Sequence, residues 1–152
     1  MNFEPLVLDL ADALRAQGLH IATAESCTGG LIAAACTAVA GSSDWFERGF
    51  VTYSNAAKTE LLGVPAALIA QHGAVSEPVA RAMVAGAVAH SAAHVSVAVT
   101  GIAGPTGGSE DKPVGTVWFG WCVGGQCSTE RQLFAGDRAS VRAQSAQHAL
   151  AG

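Results

Sequence analysis

The sequence predicts an α/β fold, a three-layer α/β/α sandwich with a mixed, mostly parallel sheet and a C-terminal β-hairpin followed by a helix. Short apolar runs that alternate like strands are separated by stretches with apolar residues at helical spacing. This order is typical of a sheet covered by helices on both faces. Near the end of the chain, two strand-like runs are joined by Gly124-Gly125, which indicates an antiparallel hairpin. We expect residues 1–152 to form a single domain.

Each element has a local signal. Leucines at helical spacing predict a first helix, which Gly18 ends. Ser76-Glu77-Pro78 begins another helix with a capping hydroxyl, an acid in the first turn and a proline near the first position. Asp137 caps the last helix. The predicted helices cover residues 5–17, 31–40, 54–62, 66–71, 76–92 and 137–150, and the predicted strands cover residues 19–23, 45–53, 95–99, 114–123 and 126–134.

Composition and charge exclude several classes of protein. Half of the residues are apolar and 13% are charged, which favours a compact fold over disorder. The net charge of −4 and the lack of a basic run argue against nucleic acid or a membrane surface as the main partner. The first residues do not resemble a secretory signal, and no apolar run is long enough to span a bilayer, so we expect a cytoplasmic protein. A homodimer is the default expectation for its oligomeric state.

The four cysteines do not form a C-x-x-C pair. Cys122 and Cys127 flank Gly124-Gly125 and could face each other across the hairpin. In a cytosolic protein we expect the cysteines to be reduced and structural. Cys27 is a rival candidate for a nucleophile, because it lies beside Ser26 near a helix N-terminus, where a thiol becomes more acidic.

Chemistry is expected at Ala24-Glu25-Ser26-Cys27-Thr28-Gly29-Gly30, where a predicted strand leads into a predicted helix. The first turn of a helix offers backbone N–H groups without internal partners, and glycine lets the backbone approach a bound group closely. Such a junction can hold a phosphate, or it can stabilise the oxyanion formed when a serine attacks a carbonyl. A plain turn, in which Ser26 or Thr28 caps the helix, accounts for the same residues.

Three polar loops leave the carboxyl ends of predicted strands, where open α/β sheets bind their ligands. They are the turn at Ser26, the segment from Tyr53 to Lys58, and the loop after Thr100. Lys58 is one of only two lysines, but a lysine with an ordinary pKa is protonated at neutral pH. It would need burial or a neighbouring cation to accept a proton from serine. The residues alone favour a solvated lysine on a short helix.

Other catalytic and binding motifs fail on spacing. The sequence contains no G-x-S-x-G around Ser26 and no glycine-rich nucleotide-binding motif. His90 and His94 are four residues apart but lack the H-E-x-x-H frame of a zinc site. We therefore expect neither a metal nor a cofactor.

Taken in order, the motifs resemble the CinA C-terminal domain family. The matching blocks cover nearly the whole chain. They are Thr23-Ala24-Glu25-Ser26-Cys27-Thr28-Gly29-Gly30, Thr52-Tyr53-Ser54-Asn55 with Lys58, Leu62-Gly63-Val64, Gly73-Ala74-Val75-Ser76, Val99-Thr100-Gly101-Ile102-Ala103-Gly104-Pro105, Lys112-Pro113-Val114-Gly115-Thr116-Val117 and Gly136-Asp137-Arg138.

The resemblance implies an α/β/α sandwich and an activity. Stand-alone members of the family are nicotinamide-nucleotide amidohydrolases, so the implied reaction converts nicotinamide mononucleotide to nicotinate mononucleotide and ammonia in pyridine-nucleotide salvage. The family's proposed nucleophile falls on Ser26, and its lysine and tyrosine fall on Lys58 and Tyr53. This favours a functional Lys58 over a solvated one. A non-catalytic nucleotide-binding or regulatory module of the CinA type is the alternative.

Together, the residues and the resemblance suggest a mechanism. Neutral Lys58, relayed or oriented by Tyr53, takes the proton from Ser26, which attacks the carboxamide. Backbone N–H groups near Thr28, Gly29 and Gly30 are expected to hold the oxyanion. The expected contacts to the phosphate and ribose are Ser76, Thr100, Gly101, Gly104 and Gly107.

Overall fold

The computed structural model describes residues 2–152, which contain six α-helices and five β-strands. The helices are α1 (Glu4–Gln17), α2 (Leu31–Thr37), α3 (Asn55–Leu62), α4 (Ala66–His72), α5 (Glu77–Ala89) and α6 (Arg138–Ala151). The strands are β1 (Ile21–Glu25), β2 (Phe46–Val51), β3 (Val95–Gly101), β4 (Thr116–Val123) and β5 (Gln126–Leu133). A short 3-10 turn, Ser42–Asp44, precedes β2. No helix among these residues combines the length and the apolar composition required to cross a bilayer.

The strands form one mixed sheet in the order β2-β1-β3-β4-β5. β1 pairs in parallel with β2 and β3, whereas β4 is antiparallel to both of its neighbours. Gly124 and Gly125 connect β4 to β5 and both have positive φ, of 58° and 82°, which is the backbone required by a tight two-residue hairpin turn. The predicted mixed sheet and hairpin are therefore confirmed.

Helices cover both faces of the sheet, and β1 shows why. Ile21 packs into the apolar core shared with α1, α2 and α6, whereas Ala22 and Ala24 pack into the core shared with α3, α4 and α5. Successive side chains of a strand point to opposite faces, so a strand between two helical layers is buried throughout, as all five residues of β1 are. The three-layer sandwich is confirmed.

The boundaries of several elements differ from the prediction by up to three residues, those of β1 and α2 among them. β1 begins and ends two residues later than predicted, because Glu25 still pairs with Val51 and Val99 on its two neighbouring strands. α2 ends at Thr37 and not just before Gly41. The Thr37 hydroxyl donates to the carbonyls of Ala33 and Ala34, a local interaction that competes with continued helix.

The expectation that all four cysteines are reduced is wrong for the hairpin pair. Cys122 and Cys127 form a disulfide. They are directly opposite each other on β4 and β5, and this register brings their side chains within bonding range. Cys27 and Cys36 are free and buried.

Candidate active site

The three polar loops meet at one edge of the sheet. Since β1, β2 and β3 run in parallel, their carboxyl ends lie side by side. The loops that follow them border a cavity of about 340 Å³. Seven of the site residues predicted from the sequence line this cavity: Ser26, Tyr53, Lys58, Thr100, Gly101, Gly104 and Gly107.

Ser26 and Lys58 are in direct contact at the cavity. Ser26 is the first residue after β1, and Lys58 is the fourth residue of α3, which Ser54 caps by accepting from the Ala57 N–H. The distance from Lys58 Nζ to Ser26 Oγ is 3.0 Å. A nucleophile and its base need this hydrogen-bond reach, so the pair can transfer a proton directly.

The Lys58 side chain is buried, with 1% of its surface exposed. Its Nζ also donates to the carbonyls of Thr52, at 2.9 Å, and Tyr53, at 3.3 Å. No carboxylate lies within 4.0 Å of it among residues 2–152. Burial therefore lowers the pKa of Lys58 from its ordinary value, because the charged form loses its hydration.

Cys27 borders the cavity next to Ser26, but its thiol is a poor nucleophile. Burial raises the pKa of Cys27 to about 11, and the nearby Glu25 carboxylate acts in the same direction. The thiolate is the reactive form of cysteine, so little of it exists at neutral pH. The environment of the turn therefore disfavours Cys27 as a nucleophile.

Glu25 fixes the turn that carries Ser26. Its carboxylate is buried and accepts three hydrogen bonds, from the Thr28 hydroxyl at 2.6 Å and from the backbone N–H groups of Ile32 and Ala33 at 2.8 and 3.0 Å. The last two are helix-initial N–H groups of α2, which lack partners within the helix. Glu25 thus caps α2 from the end of β1 and closes the turn between them.

Tyr53 and Arg138 meet at the rim of the cavity. The Tyr53 side chain is 61% exposed, and its hydroxyl accepts from Arg138 Nη2 at 3.1 Å. Arg138 Nη1 donates to the Gly104 carbonyl at 2.9 Å. The contact between Tyr53 and Lys58 runs through the Tyr53 main-chain carbonyl.

Sequence reasoning did not select Arg138 as a site residue, although the structure places it in the cavity wall. Asp137 accepts from the Ser140 N–H and thereby caps α6, as predicted. The residue that follows a cap lies in the first turn of its helix. Two features of the sequence could have identified Arg138 as a site residue. It directly follows a predicted helix cap, and it belongs to the Gly136-Asp137-Arg138 block.

The glycines after β3 allow the loop to pack tightly beside the cavity. Gly104 has φ of 85°, and a Cβ there would lie 2.5 Å from Val114 Cγ1. Both the backbone and the space at this position therefore require glycine. The Thr100 hydroxyl donates to the Ala74 carbonyl at 3.0 Å.

Four of the predicted binding residues do not line the cavity: Thr28, Gly29, Gly30 and Ser76. The Thr28 hydroxyl binds Glu25, and the Gly29 N–H donates to the Ser26 carbonyl at 3.0 Å. Ser76 precedes α5, but its hydroxyl does not cap that helix as predicted. It donates instead to the Gly73 carbonyl at 2.7 Å. Roles for these residues in binding remain predictions.

Comparison with known proteins identifies the class. The sequence profile of the CinA C-terminal domain matches residues 3–152, and the chain belongs to this family.

Relatives of similar length carry a more specific name. The "Nicotinamide-nucleotide amidohydrolase PncC" of Escherichia coli is 54% identical over 142 residues, which cover 93% of this chain and 86% of that protein. The protein of the same name from Pseudomonas putida is 56% identical over 147 residues, which cover 97% of this chain and 92% of the relative. The solved structure of the competence damage-inducible protein A from Klebsiella pneumoniae has a TM-score of 0.95 at 44% identity, with 99% and 94% of the two chains covered.

Proposed function

We propose that this protein hydrolyses the carboxamide of nicotinamide mononucleotide to give nicotinate mononucleotide and ammonia, with Ser26 as the nucleophile and Lys58 as the base. The chain is an amidohydrolase by its similarity to curated relatives of that name. The observation that carries the mechanism is the 3.0 Å contact between the Ser26 hydroxyl and a buried lysine amine.

The three partners of Lys58 Nζ can be satisfied by a neutral amine as well as by an ammonium group. A neutral amine has two N–H donors and one lone pair. The carbonyls of Thr52 and Tyr53 can only accept, so they take the two N–H groups. The lone pair is then directed at the third partner, the Ser26 hydroxyl. This is the arrangement in which a lysine removes a proton from serine.

The reaction follows from this arrangement. Ser26 Oγ forms a bond to the carboxamide carbon while Lys58 takes the serine proton. The tetrahedral intermediate collapses when the C–N bond breaks, and Lys58 returns the proton to the leaving nitrogen, which departs as ammonia. Water then attacks the acyl-enzyme while Lys58 accepts one of its protons. Lys58 returns this proton to Ser26 Oγ as the ester bond breaks, and the released acid ionises to the carboxylate product.

The oxyanion of the tetrahedral intermediate needs donors beside Ser26. The predicted donors are the backbone N–H groups of Thr28, Gly29 and Gly30. The Gly29 N–H, however, already donates to the Ser26 carbonyl. Thr28 and Gly30 do not line the cavity, so an oxyanion role for their N–H groups stays a prediction.

The substrate's phosphate is assigned to the part of the cavity wall that Arg138 forms. Arg138 is the second basic side chain that borders it, after Lys58. Two of its N–H groups bind Gly104 and Tyr53, which fix the guanidinium while its other donors remain available to an anion. Thr106 and Gly107 border the cavity in the same loop region. Tyr53 has an orienting role here, through its carbonyl on Lys58 and its hydroxyl on Arg138.

Release of ammonia from nicotinamide mononucleotide by the purified protein is the test. We expect turnover by the wild type, none above background by Ser26→Ala, and near-normal turnover by the adjacent Cys27→Ala variant. Binding of the nucleotide without release of ammonia would instead support the non-catalytic nucleotide-binding module. An active Ser26→Ala enzyme that alkylation inactivates would transfer the nucleophile to Cys27.

A further inference from the structure

Asn55 is a polar residue of the cavity that takes no part in the steps proposed above. It is the first residue of α3 and borders the cavity together with Ser26 and Lys58. The residue is exposed, and its side-chain amide forms no hydrogen bond within residues 2–152. It also borders a hollow against α4, whose other lining residues are apolar except Thr59, and the Thr59 hydroxyl donates to the Asn55 main-chain carbonyl. The amide is therefore available to a ligand.

The other polar side chains of the cavity wall already have partners or parts. Tyr53 and Arg138 bind each other, and the Thr100 hydroxyl donates to a main-chain carbonyl. Thr106 lies in the loop that Arg138 binds, at the part of the wall assigned to the phosphate. Among residues 2–152, Asn55 is the only residue with a side-chain amide that borders this cavity.

Asn55 lies beside the pair formed by Ser26 and Lys58. Long side chains of a helix point back toward its N-terminus, and Lys58 Nζ binds the carbonyls of Thr52 and Tyr53, which precede α3. Asn55 and Lys58 are three residues apart, so they are neighbours on one side of the helix. The amine that contacts Ser26 Oγ at 3.0 Å therefore lies near the start of α3, where Asn55 is the first residue.

We propose that the Asn55 side chain binds the carboxamide that is hydrolysed, with Nδ2 donating to the carboxamide oxygen and Oδ1 accepting from the carboxamide nitrogen. This inference rests on the proposed function. Two primary amides each present one donor and one acceptor on the same edge, so they can pair through two hydrogen bonds. The pairing lies in the plane of the carboxamide and leaves its face open to Ser26 Oγ. Nδ2 then stays on the oxygen as that atom becomes the oxyanion.

The same contact distinguishes the substrate from the product. Once ammonia has left, the product carboxylate presents an oxygen where the amide nitrogen stood. Asn55 Oδ1 cannot donate to this oxygen, so one hydrogen bond is lost and two acceptors face each other. Asn55 is thus a specificity-determining residue, which favours the amide over the acid and weakens the hold on the product.

The first experiment measures binding to the Ser26→Ala protein, which is expected to release no ammonia. Isothermal titration calorimetry gives the Kd of nicotinamide mononucleotide and of nicotinate mononucleotide. Adding Asn55→Ala should weaken binding of the amide about 5- to 100-fold, since two hydrogen bonds are lost, and change binding of the acid less than threefold. Adding Asn55→Asp keeps the acceptor but introduces a negative charge, so the acid should lose more affinity than the amide.

The two substitutions therefore move the preference for the amide in opposite directions, which a merely structural role would not do. Gln147→Ala is the matched control, because it removes another exposed amide from a helix, α6, away from this cavity. It should change neither Kd. With Ser26 intact, Asn55→Ala should lower kcat/KM for release of ammonia about 10- to 100-fold, because an oxyanion donor is lost, and Gln147→Ala should leave it unchanged.

Four outcomes would overturn the inference. They are an equal loss of affinity for amide and acid in Asn55→Ala, a shift of the preference in the same direction by both substitutions, a kcat/KM of Asn55→Ala within threefold of wild type, or no binding of either nucleotide to Ser26→Ala. Thermal melting checks that the variants are folded, and Asn55→Asp, which has nearly the size of asparagine, decides the matter if Asn55→Ala is not. If the wild type binds the amide but releases no ammonia, the proposed function fails, while the two binding constants still test Asn55.

Discussion

Replacing Lys58 by methionine separates its chemical role from its structural one. Methionine keeps the length of the buried side chain and removes only the amine that contacts Ser26, Thr52 and Tyr53. General base catalysis contributes about 10²–10⁴-fold to a rate. We therefore expect kcat for release of ammonia to fall by about that factor, as measured by a coupled ammonia assay.

The same variant should change stability in a way that depends on pH. The lost donor leaves the buried Thr52 carbonyl unpaired, which costs about 1–3 kcal/mol. Against this, burial lowers the pKa of Lys58 in the folded state. The unfolded chain therefore binds more protons than the folded chain at pH values between this lowered pKa and about 10.4, the ordinary lysine value. In that interval the free energy of unfolding of the wild type rises with pH, a contribution that Lys58→Met lacks.

Urea unfolding at pH 7 and pH 10 measures this difference. The free energy of unfolding of the wild type minus that of Lys58→Met should grow with pH. The other titrating groups are the same in both proteins, so their contributions cancel in this difference. Lys112→Met is the control, because Lys112 is the other lysine and lies on the surface, where it donates to the His72 carbonyl. It should show no such growth. A stability difference that stays constant between the two pH values, or a kcat of Lys58→Met within tenfold of wild type, would refute the reasoning.

Three further variants test the surroundings of the pair. Cys27→Ser should keep kcat within threefold of wild type. Iodoacetamide at pH 8 should not inactivate the wild type, since burial raises the pKa of the Cys27 thiol to about 11. Rapid inactivation would contradict this. Arg138→Met should raise KM for nicotinamide mononucleotide more than tenfold but leave kinetics with nicotinamide riboside, which lacks the phosphate, nearly unchanged; equal effects on both would remove the phosphate from Arg138. Glu25→Gln should lower the free energy of unfolding by about 2–3 kcal/mol in urea, because the amide replaces one buried acceptor by a donor; unchanged stability would contradict the capping role.

The sequence was sufficient to predict the layers of the fold and the edge of the sheet where the site lies. Alternating apolar runs, and glycines at the ends of helices and in turns, are local signals. The carboxyl ends of parallel strands lie at the same edge of a sheet by geometry. Ser26 could be selected because a strand-to-helix junction is visible locally. Lys58 could not be selected from residues alone, because its depressed pKa depends on burial beneath several elements.

Arg138, which sequence reasoning missed, acts over long separations. It binds Gly104 across 34 residues of chain and Tyr53 across 85. Neither contact has a local pattern. Glu25 is a different case, because β1 places its side chain on the same face as Ile21. A carboxylate on that buried face, directly before a helix, could have been recognised as a cap for α2.

The central claim is that burial lowers the pKa of Lys58 so that its amine can accept the Ser26 proton, and titration of the side chain by NMR tests this most directly. Protein labelled with ¹³C-lysine gives signals from Lys58 and Lys112 alone, because these are the only lysines, and a Lys112→Arg variant assigns them. We expect the Lys58 Cε signal to titrate well below the ordinary pKa of about 10.4, and the Lys112 signal to titrate near it. A Lys58 amine that stays protonated up to pH 10.4 or beyond would contradict the account.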